Sequence, residues 1–411
     1  MKSSLCVVNK KIAGITAIII IVTTIVMSGN LIVRGSPLKK VALLVGGDET
    51  DLGFSMMAIQ GAQAISAKYP SFTVTIEKSV PYATQDNVAS SYGDAGYDLV
   101  FLVGGQFQTV LYTDTIGDQR IPDKYPNTTW VIVPGWGYSD KPNLVALGPS
   151  FQVFGHYLAG MLAAKMSKTG AVGFIVGTWY APSYLCMEGN AFIAGVHAVN
   201  PAAVVYTREV GGFNPWGDFA AGKTIAEALI DINNVDIIVH VADYSGQGVI
   251  TGCAGRDKTV IGCVADQWSL APDNMLTSVL MDTPKFMVMI VDCILGGAFL
   301  GYKSIDVDLS ALAPFHNLNA SVPQDVKDLL AATEALIRID VNFDGKIDIL
   351  DIARAARAFG SSPGNSRWDP MMDFNADNNI NILDLARIAK GFGETFTPVP
   401  LDNSQPPERS P

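Results

Sequence analysis

The sequence is poor in the residues that carry most catalytic and metal chemistry. It contains four histidines and five cysteines in 411 residues, and no two cysteines form a Cys-x-x-Cys pair, which excludes a zinc site of the usual kind. Lys and Arg total 28 against 39 Asp and Glu, a formal net charge of −11. Such a surface repels phosphate backbones, so nucleic acid is excluded as a partner. Gly46-Gly47 and Gly104-Gly105 lack the Gly-x-Gly-x-x-Gly pattern and no phosphate-loop lysine follows them, so they read as tight strand–helix turns and not as nucleotide cradles. There is no Gly-x-Ser-x-Gly elbow and no paired-acid motif of a glycosidase. Of the histidines His156, His197, His240 and His316, His197 falls inside a helical pattern and His240 ends a strand, which leaves few general bases. The chain reads as a non-enzyme.

What is abundant is apolar: 49% of residues are hydrophobic, enough for a large core and too many for a disordered chain. Lys2, Lys10 and Lys11 precede an apolar run from Ile12 to Met27 that resumes at Leu31-Ile32-Val33. A basic head before an apolar segment is the export pattern, and the run is also long enough to span a bilayer. Residues 1–35 are therefore expected to be a signal peptide or an N-terminal membrane anchor, and the remainder extracytoplasmic, at the cell surface or membrane-anchored. No cysteine directly follows the run, which excludes a lipid-modified cysteine there. Cys6 precedes the run. Cys186, Cys253, Cys263 and Cys293 could form two disulfides outside the cell, or serve as small buried apolar residues.

From Lys39 to about Leu336, apolar strands alternate with amphipathic helices. Strands are expected at 41–45, 72–76, 98–103 and 129–133, with a helix over 54–68. A second set follows: helix 151–166, strand 171–176, helix 186–199, strand 203–209, helix 216–232, strand 235–241, helix 246–256 and strand 259–264. Strands nearly continuous in apolar residues are buried on both faces, as in parallel sheets covered by helices. Two such sets predict two doubly wound parallel-sheet α/β lobes over 36–336, with segment 274–281 and helix 284–300 returning to the first lobe. Ligands of such lobes bind at the carboxyl ends of the strands.

Near residue 337 the pattern changes. Asp340, Asn342, Asp344, Asp348 and Asp351 occupy positions 1, 3, 5, 9 and 12 of a twelve-residue loop, and Asp373, Asn375, Asp377, Asn381 and Asp384 repeat the spacing. Calcium takes six to eight oxygens, and an EF-hand loop supplies them at these offsets, with position 7 (Lys346 or Asn379) offering its backbone carbonyl. Position 6 requires a sharp turn, which Gly345 and Asn378 both tolerate. Helices are expected over 352–359 and 385–392, each ended by Phe-Gly. Two calcium ions are predicted. The tail, 396–411, is rich in proline and is expected to be flexible.

The two loops, each closing on Asp where EF-hands commonly carry Glu, resemble type I dockerin repeats over about 337–395. The resemblance implies a small all-α, calcium-folded plug for a cohesin-like module. At positions 10 and 11, where the family often carries small polar or charged residues, stand Ile349-Leu350 and Ile382-Leu383. These apolar pairs imply either a greasy partner surface or burial against the chain's own large domain.

The large domain resembles the basic membrane protein family of substrate-binding proteins, which includes purine nucleoside receptors of import transporters. The resemblance rests on Asp51-Leu52-Gly53-Phe54, Ala95-Gly96-Tyr97-Asp98, Tyr157-Leu158-Ala159-Gly160, Lys168-Thr169-Gly170-Ala171, Ala194-Gly195-Val196-His197, Gly212-Phe213-Asn214, Gly246-Gln247-Gly248 and Asp266-Gln267. It implies a type I periplasmic-binding-protein-like fold, a small-molecule ligand held between the lobes and a membrane permease of an ABC transporter as partner. Phe54 and Phe213 match the family's ring-stacking motifs. Phe107, Trp136 and Trp179 follow strands and are further candidates for the cleft, as is Gly246, although core or hinge packing accounts for each of these aromatics better. Asp51 and Asp266 could accept hydroxyl hydrogen bonds or cap helices. Three departures stand out: Pro134-Gly135, Cys263-Val264 and Leu280-Met281-Asp282 replace charged family motifs, which points away from a ribose-like polyol bound in the family's manner. A dockerin-bearing surface protein of structural role and a carbohydrate-active enzyme remain the alternatives.

Overall fold

The computed structural model describes residues 38–407, except residues 114, 136–138, 148–151, 180–182, 298–302, 306–309, 313–320, 363–364, 366, 376 and 402–403. The expected signal or anchor segment and Trp136 lie outside the described residues. Among the described residues no helix is long and apolar enough to cross a membrane.

The first lobe is a six-stranded parallel sheet in the order β13-β7-β6-β3-β1-β2. Its strands are β1 (Lys40–Val45), β2 (Thr73–Glu77), β3 (Leu99–Val103), β6 (Thr129–Val133), β7 (Leu144–Leu147) and β13 (Lys303–Ile305), with a small hairpin, β4 (Thr115–Ile116) and β5 (Gln119–Arg120), on its periphery. Strands β1 and β3 are buried along nearly their whole length, the pattern expected where helices cover both faces. Helices α1 (Phe54–Lys68), α2 (Gln85–Asp94), α3 (Gln108–Tyr112) and α4 (Ile121–Lys124) follow the strands.

The second lobe repeats the plan in the order β14-β12-β11-β10-β8-β9, from β8 (Ala171–Val176), β9 (Val204–Glu209), β10 (Ile237–Val241), β11 (Thr259–Val264), β12 (Met275–Met281) and β14 (Ser310–Leu312). All pairs are parallel except β12 with β14. Its helices are α5 (Val153–Met166), α6 (Tyr184–Val199), α7 (Phe219–Asn233) and α8 (Asp243–Ala254). Helices α5 and α6 approach so closely that a Cβ on Gly160 would lie 2.1 Å from Phe192 O, and one on Gly195 2.0 Å from Tyr157 O. Two of the resemblance motifs are thus packing motifs.

The chain passes between lobes three times: through α5, through α9 (Thr283–Leu295) and between β13 and β14. The expected return of 274–281 to the first lobe is corrected. This segment is β12, paired with β11 in the second sheet. The helix crosses back, packing on α1 with Lys68 Nζ 2.7 Å from Asp292 Oδ2. Strand β7, absent from the sequence reading, is a four-residue run, LVAL, whose length gives no periodicity to detect.

The C-terminal module comprises α10 (Gln324–Ile337), leading into the first loop, α11 (Ile349–Arg357) and α12 (Ile382–Lys390). Both loop helices start three residues earlier than expected, at loop position 10. Asp348 with Asp351, and Asn381 with Asp384, form capping boxes that start the helix inside the loop. The module is not a separate bead. Ile339, Val341, Ile347, Trp368 and Ile388 join the same apolar cluster as Val153, Phe154 and Tyr157 of α5. A cavity of about 1140 Å³ remains between the module and helices α1 and α9.

The described tail residues also differ from the expectation of a free segment. Tyr157 OH donates to Thr397 O (3.0 Å), Asn190 Nδ2 donates to Gln405 O (3.3 Å), and Val399 and Pro407 are buried. Apolar residues between the prolines find grooves on α5 and α6, which composition alone does not reveal. The four cysteines of this unit are all buried; burial pushes the Cys253 thiol up to about 12 and raises that of Cys263 well above its ordinary value, so they serve as small core residues.

Candidate functional site

The carboxyl ends of β1, β8, β10 and β11 face one another across the lobe boundary, and most candidate residues are found there. Asp51 ends the short turn after β1. Its carboxylate accepts from the backbone N–H of Gly53 (2.9 Å), Ser55 (2.7 Å) and Met56 (3.1 Å). It is therefore saturated as the N-terminal anchor of α1, a role for which a carboxylate is well suited. The turn is gripped from the second lobe: Gln247 Nε2 donates to Thr50 O and Asp51 O, both at 3.0 Å, and Gln267 Nε2 donates to Leu52 O at 3.2 Å. Phe54, the first residue of α1, is half-buried beside this contact.

The other expected ligand contacts divide. Phe213, in the loop after β9, is fully exposed at 105%, a ring with nothing yet to stack on. Trp179 is half-buried and stacked on Phe174, with centroids 5.9 Å and planes 17° apart. Phe107 is corrected: it is buried in the core on the other side of the first sheet, with Val110, Trp130 and Ile132, because the turn after β3 directs it beneath the sheet. Gly246 is also corrected. It lies on α8 over the His240 ring, where a Cβ would fall 2.2 Å from Nδ1, so it makes room for a side chain and not for a ligand. Asp266 is exposed and its carboxylate accepts from Trp268 N at 3.1 Å, turning the chain into the next element.

Sequence reading missed the polar groups buried between these elements. His240 Nε2 donates to Gln267 Oε1 (3.0 Å), which also accepts from Cys263 N (3.1 Å). His156 donates from Nδ1 to Gln152 O (2.9 Å), and its Nε2 lies 3.9 Å from Cys263 Sγ. Burial lowers both imidazoles to about 4, so both are neutral. Glu188 on α6 is wholly buried, and neither carboxylate oxygen has a hydrogen-bond partner. Burial, and then the charge of Asp243, push it well above the usual carboxylate range. Asp243, first residue of α8, has a φ of 43° and lies beside Gly53 of the first lobe. Asp243 is half-buried; desolvation and then the charge of Asp51 raise it to about 7, against a hydrogen bond that its carboxylate accepts from the Phe54 backbone N–H. No Lys or Arg among the described residues is buried to balance Glu188. An unpaired buried carboxylate costs several kcal/mol, and such groups concentrate at functional sites. The available signal was a lone Glu in the otherwise apolar run Tyr184-Leu185-Cys186-Met187.

In the C-terminal module, position 6 of each loop is left-handed as expected, with φ of 77° at Gly345 and 63° at Asn378. Asp340 accepts from Asp344 N and Gly345 N, Asp344 from Lys346 N, and Asp348 from Leu350 N. The second loop repeats this: Asp373 accepts from Asp377 N and Asn378 N, Asp377 from Asn379 N, and Asn381 from Leu383 N. Asn342 and Asn375 accept from the position-5 N–H. Asp351 and Asp384 are fully buried. Burial raises Asp340 to about 6 and shifts Asp373 upward. Asp, Asn and backbone oxygens gathered in one short loop form an oxygen-only donor set that fits a hard divalent cation. Among the described residues no three His, Cys, Asp or Glu side chains stand in a preassembled metal cluster; the Asn and backbone oxygens complete the donor set. Ile349, Leu350, Ile382 and Leu383 are 57–66% exposed, which excludes their burial against the large domain.

Residues 38–334 match the model of the ABC transporter substrate-binding protein PnrA-like family. The chain belongs to this family. Residues 338–393 match the dockerin type I domain. Basic membrane protein A of Borreliella burgdorferi is 30% identical over 263 residues, 61% of this chain and 70% of that protein. A purine-binding protein of Brucella abortus is 31% identical over 223 residues, 53% of this chain and 59% of that one. An ABC transporter solute-binding protein from Aeropyrum pernix shares the fold with a TM-score of 0.58 at 20% identity, over 72% of this chain and 80% of that one. The PnrA-like chain thus combines two parallel-sheet α/β lobes with a C-terminal helical dockerin.

Proposed function

We propose that this PnrA-like protein is the extracytoplasmic solute-binding component of an ABC importer. It takes a small molecule between its lobes and presents it to a membrane permease, while its dockerin module fixes the receptor to a cohesin-like partner. The observation that carries the reading is the inter-lobe turn 50–54, gripped by Gln247 and Gln267 at the carboxyl ends of the strands, where such sheets bind ligands. Phe54 and the exposed Phe213 supply ring faces. The name of the Brucella relative makes purines one class to test.

Two calcium ions are proposed. One would be held by Asp340, Asn342, Asp344, the Lys346 carbonyl, Asp348 and Asp351. The other would be held by Asp373, Asn375, Asp377, the Asn379 carbonyl, Asn381 and Asp384. The apolar pairs at loop positions 10 and 11 then form the partner face. Residues 1–35 serve as export signal or anchor. The test is a thermal-shift screen of the full chain against nucleosides, sugars, amino acids and small lipids, with and without calcium. A ligand that binds the folded state raises the melting temperature by mass action. A shift with one compound class supports the receptor reading. No shift beyond that of calcium would sink it.

A further inference from the structure

The residues that follow α12 run along the second lobe and are held there by its side chains. Pro398, Pro400, Pro406 and Pro407 lack a backbone N–H. Such a stretch stays extended and cannot pair as a strand, but its carbonyls are free to accept from side chains. Tyr157 OH of α5 donates to Thr397 O at 3.0 Å, and Asn190 Nδ2 of α6 donates to Gln405 O at 3.3 Å. Between these points Val399 is buried, and Leu401 packs on the apolar cluster that contains α5.

Each end of this segment meets a candidate site. At its start Phe396 N donates to Gly345 O (2.9 Å), Ile347 N to Glu394 O (3.0 Å) and Gly393 N to Ile347 O (2.8 Å). These partners flank Lys346, whose carbonyl is a donor of the first calcium loop. The second loop pairs differently: Ile380 N donates to Ser361 O at 2.9 Å. At the far end Pro407 is buried against α6. A Cβ on Gly189 would lie 2.6 Å from Pro407 Cγ and 2.7 Å from Trp179 Cη2. The proline ring and the indole edge thus close on one point over the helix, and a glycine there leaves space for both. Trp179 lies in the turn just after β8. Its backbone N–H donates to Glu209 Oε2 (3.0 Å), its ring stacks on Phe174, and it is half-buried.

We propose that residues 394–407 form a strap joining the first calcium loop to the rim of the solute site, with Pro407 as a positioning residue for Trp179. With the first loop loaded, Gly345 and Ile347 are fixed and hold the start of the strap. The strap in turn holds the indole in the orientation in which it meets a solute. Its prolines leave little conformational freedom to absorb a movement at either end. The affinity of the receptor then depends on the state of its dockerin. The inference rests on the receptor reading for what the Trp179 ring serves; the strap itself is tested without a solute.

The experiment is fluorine NMR of the full chain in mild detergent. Its six tryptophans are replaced by fluorotryptophan, and the Trp179 signal is assigned from Trp179→Phe. Trp130, in the core of the first lobe, serves as the folding control. With calcium saturating, Pro407→Ala and Tyr157→Phe are each expected to displace the Trp179 signal and to leave that of Trp130 in place. Chelator is expected to displace the Trp179 signal of the wild type and to add nothing in Pro407→Ala, whose strap is already released, because two changes on one route are not additive. A Trp179 signal at the same position in the wild type and both variants would overturn the positioning role. Chelator that displaces it equally in wild type and Pro407→Ala, or in neither, would overturn the strap as the link to the calcium loop. None of these readings needs a solute, so failure of the receptor reading in the ligand screen is a separate outcome.

Discussion

The ring of Phe343, at position 4 of the first calcium loop, packs on the ring of Phe154 in α5, with centroids 5.3 Å and planes 33° apart. A loop built for a cation is thereby seated directly on a crossover helix of the solute-binding domain. Gly345 of the same loop lies against Phe396 O and Pro398, where an added Cβ would fall within 2.7–2.8 Å.

Calcium should therefore stabilise more than the dockerin. Chelation is expected to lower the melting temperature of the whole chain and not only of a small C-terminal transition. Phe154→Ala should cost about 3 kcal/mol and split the melt into two transitions. Scanning calorimetry with and without chelator checks both. A wild-type receptor transition that is indifferent to chelator would refute the coupling.

The exposed pairs should act in docking and not in folding. Changing Ile349, Leu350, Ile382 and Leu383 together to serine is expected to alter stability by no more than about 0.5 kcal/mol per site. It should abolish binding to a cohesin panel measured by biolayer interferometry. Two exposed pairs on equivalent helices should give the single-loop variants partial binding. Equal binding by the fourfold variant would move the partner face elsewhere.

The buried acids and histidines should leave opposite marks on the pH profile. Asp243 is raised to about 7 from an unfolded value of 3.8, and Glu188 is also raised. Their neutral forms favour the fold, so stability is lost as pH rises through the folded values. His156 and His240 are lowered to about 4 from 6.5, so they withdraw stability as pH falls below about 6.5. The unliganded, calcium-saturated protein should gain stability from pH 8 to about 6.5 and level off below that. The Glu188→Gln, Asp243→Asn double variant should show no gain over the upper range and a decline over the lower one. Denaturant midpoints across this range check the signs, and a wild type that loses stability between pH 8 and 6.5 would contradict them.

Gly195 supports the second lobe by its lack of a side chain. Because a Cβ there would lie 2.0 Å from Tyr157 O, Gly195→Ala must push α5 and α6 apart, at a cost of about 3 kcal/mol. Gly212, with φ of 75° and open space around it, should tolerate the change far better in packing terms, although its backbone would be strained. A melting comparison of the two variants distinguishes the mechanisms.

Much of this protein was legible in its sequence. Continuous apolar strands at 41–45 and 171–176 revealed parallel sheets, because burial on both faces leaves no polar alternation. Loop offsets from Asp340 to Asp351 revealed the donor set, because ligand positions in a single short loop are local. The helix starts at Ile349 and Ile382 escaped by three residues, since the loop and the helix share their last positions. What only the tertiary structure decided was non-local. It placed Phe107 beneath the sheet, put Gly246 over His240, seated the tail on α5 and α6, and left Ile349 and Leu350 in solvent. It also buried Glu188 with no hydrogen-bond partner for either carboxylate oxygen. Sequence pattern reports which face of an element is apolar; which elements then meet, and which charge is left without a partner, depends on how the lobes pack.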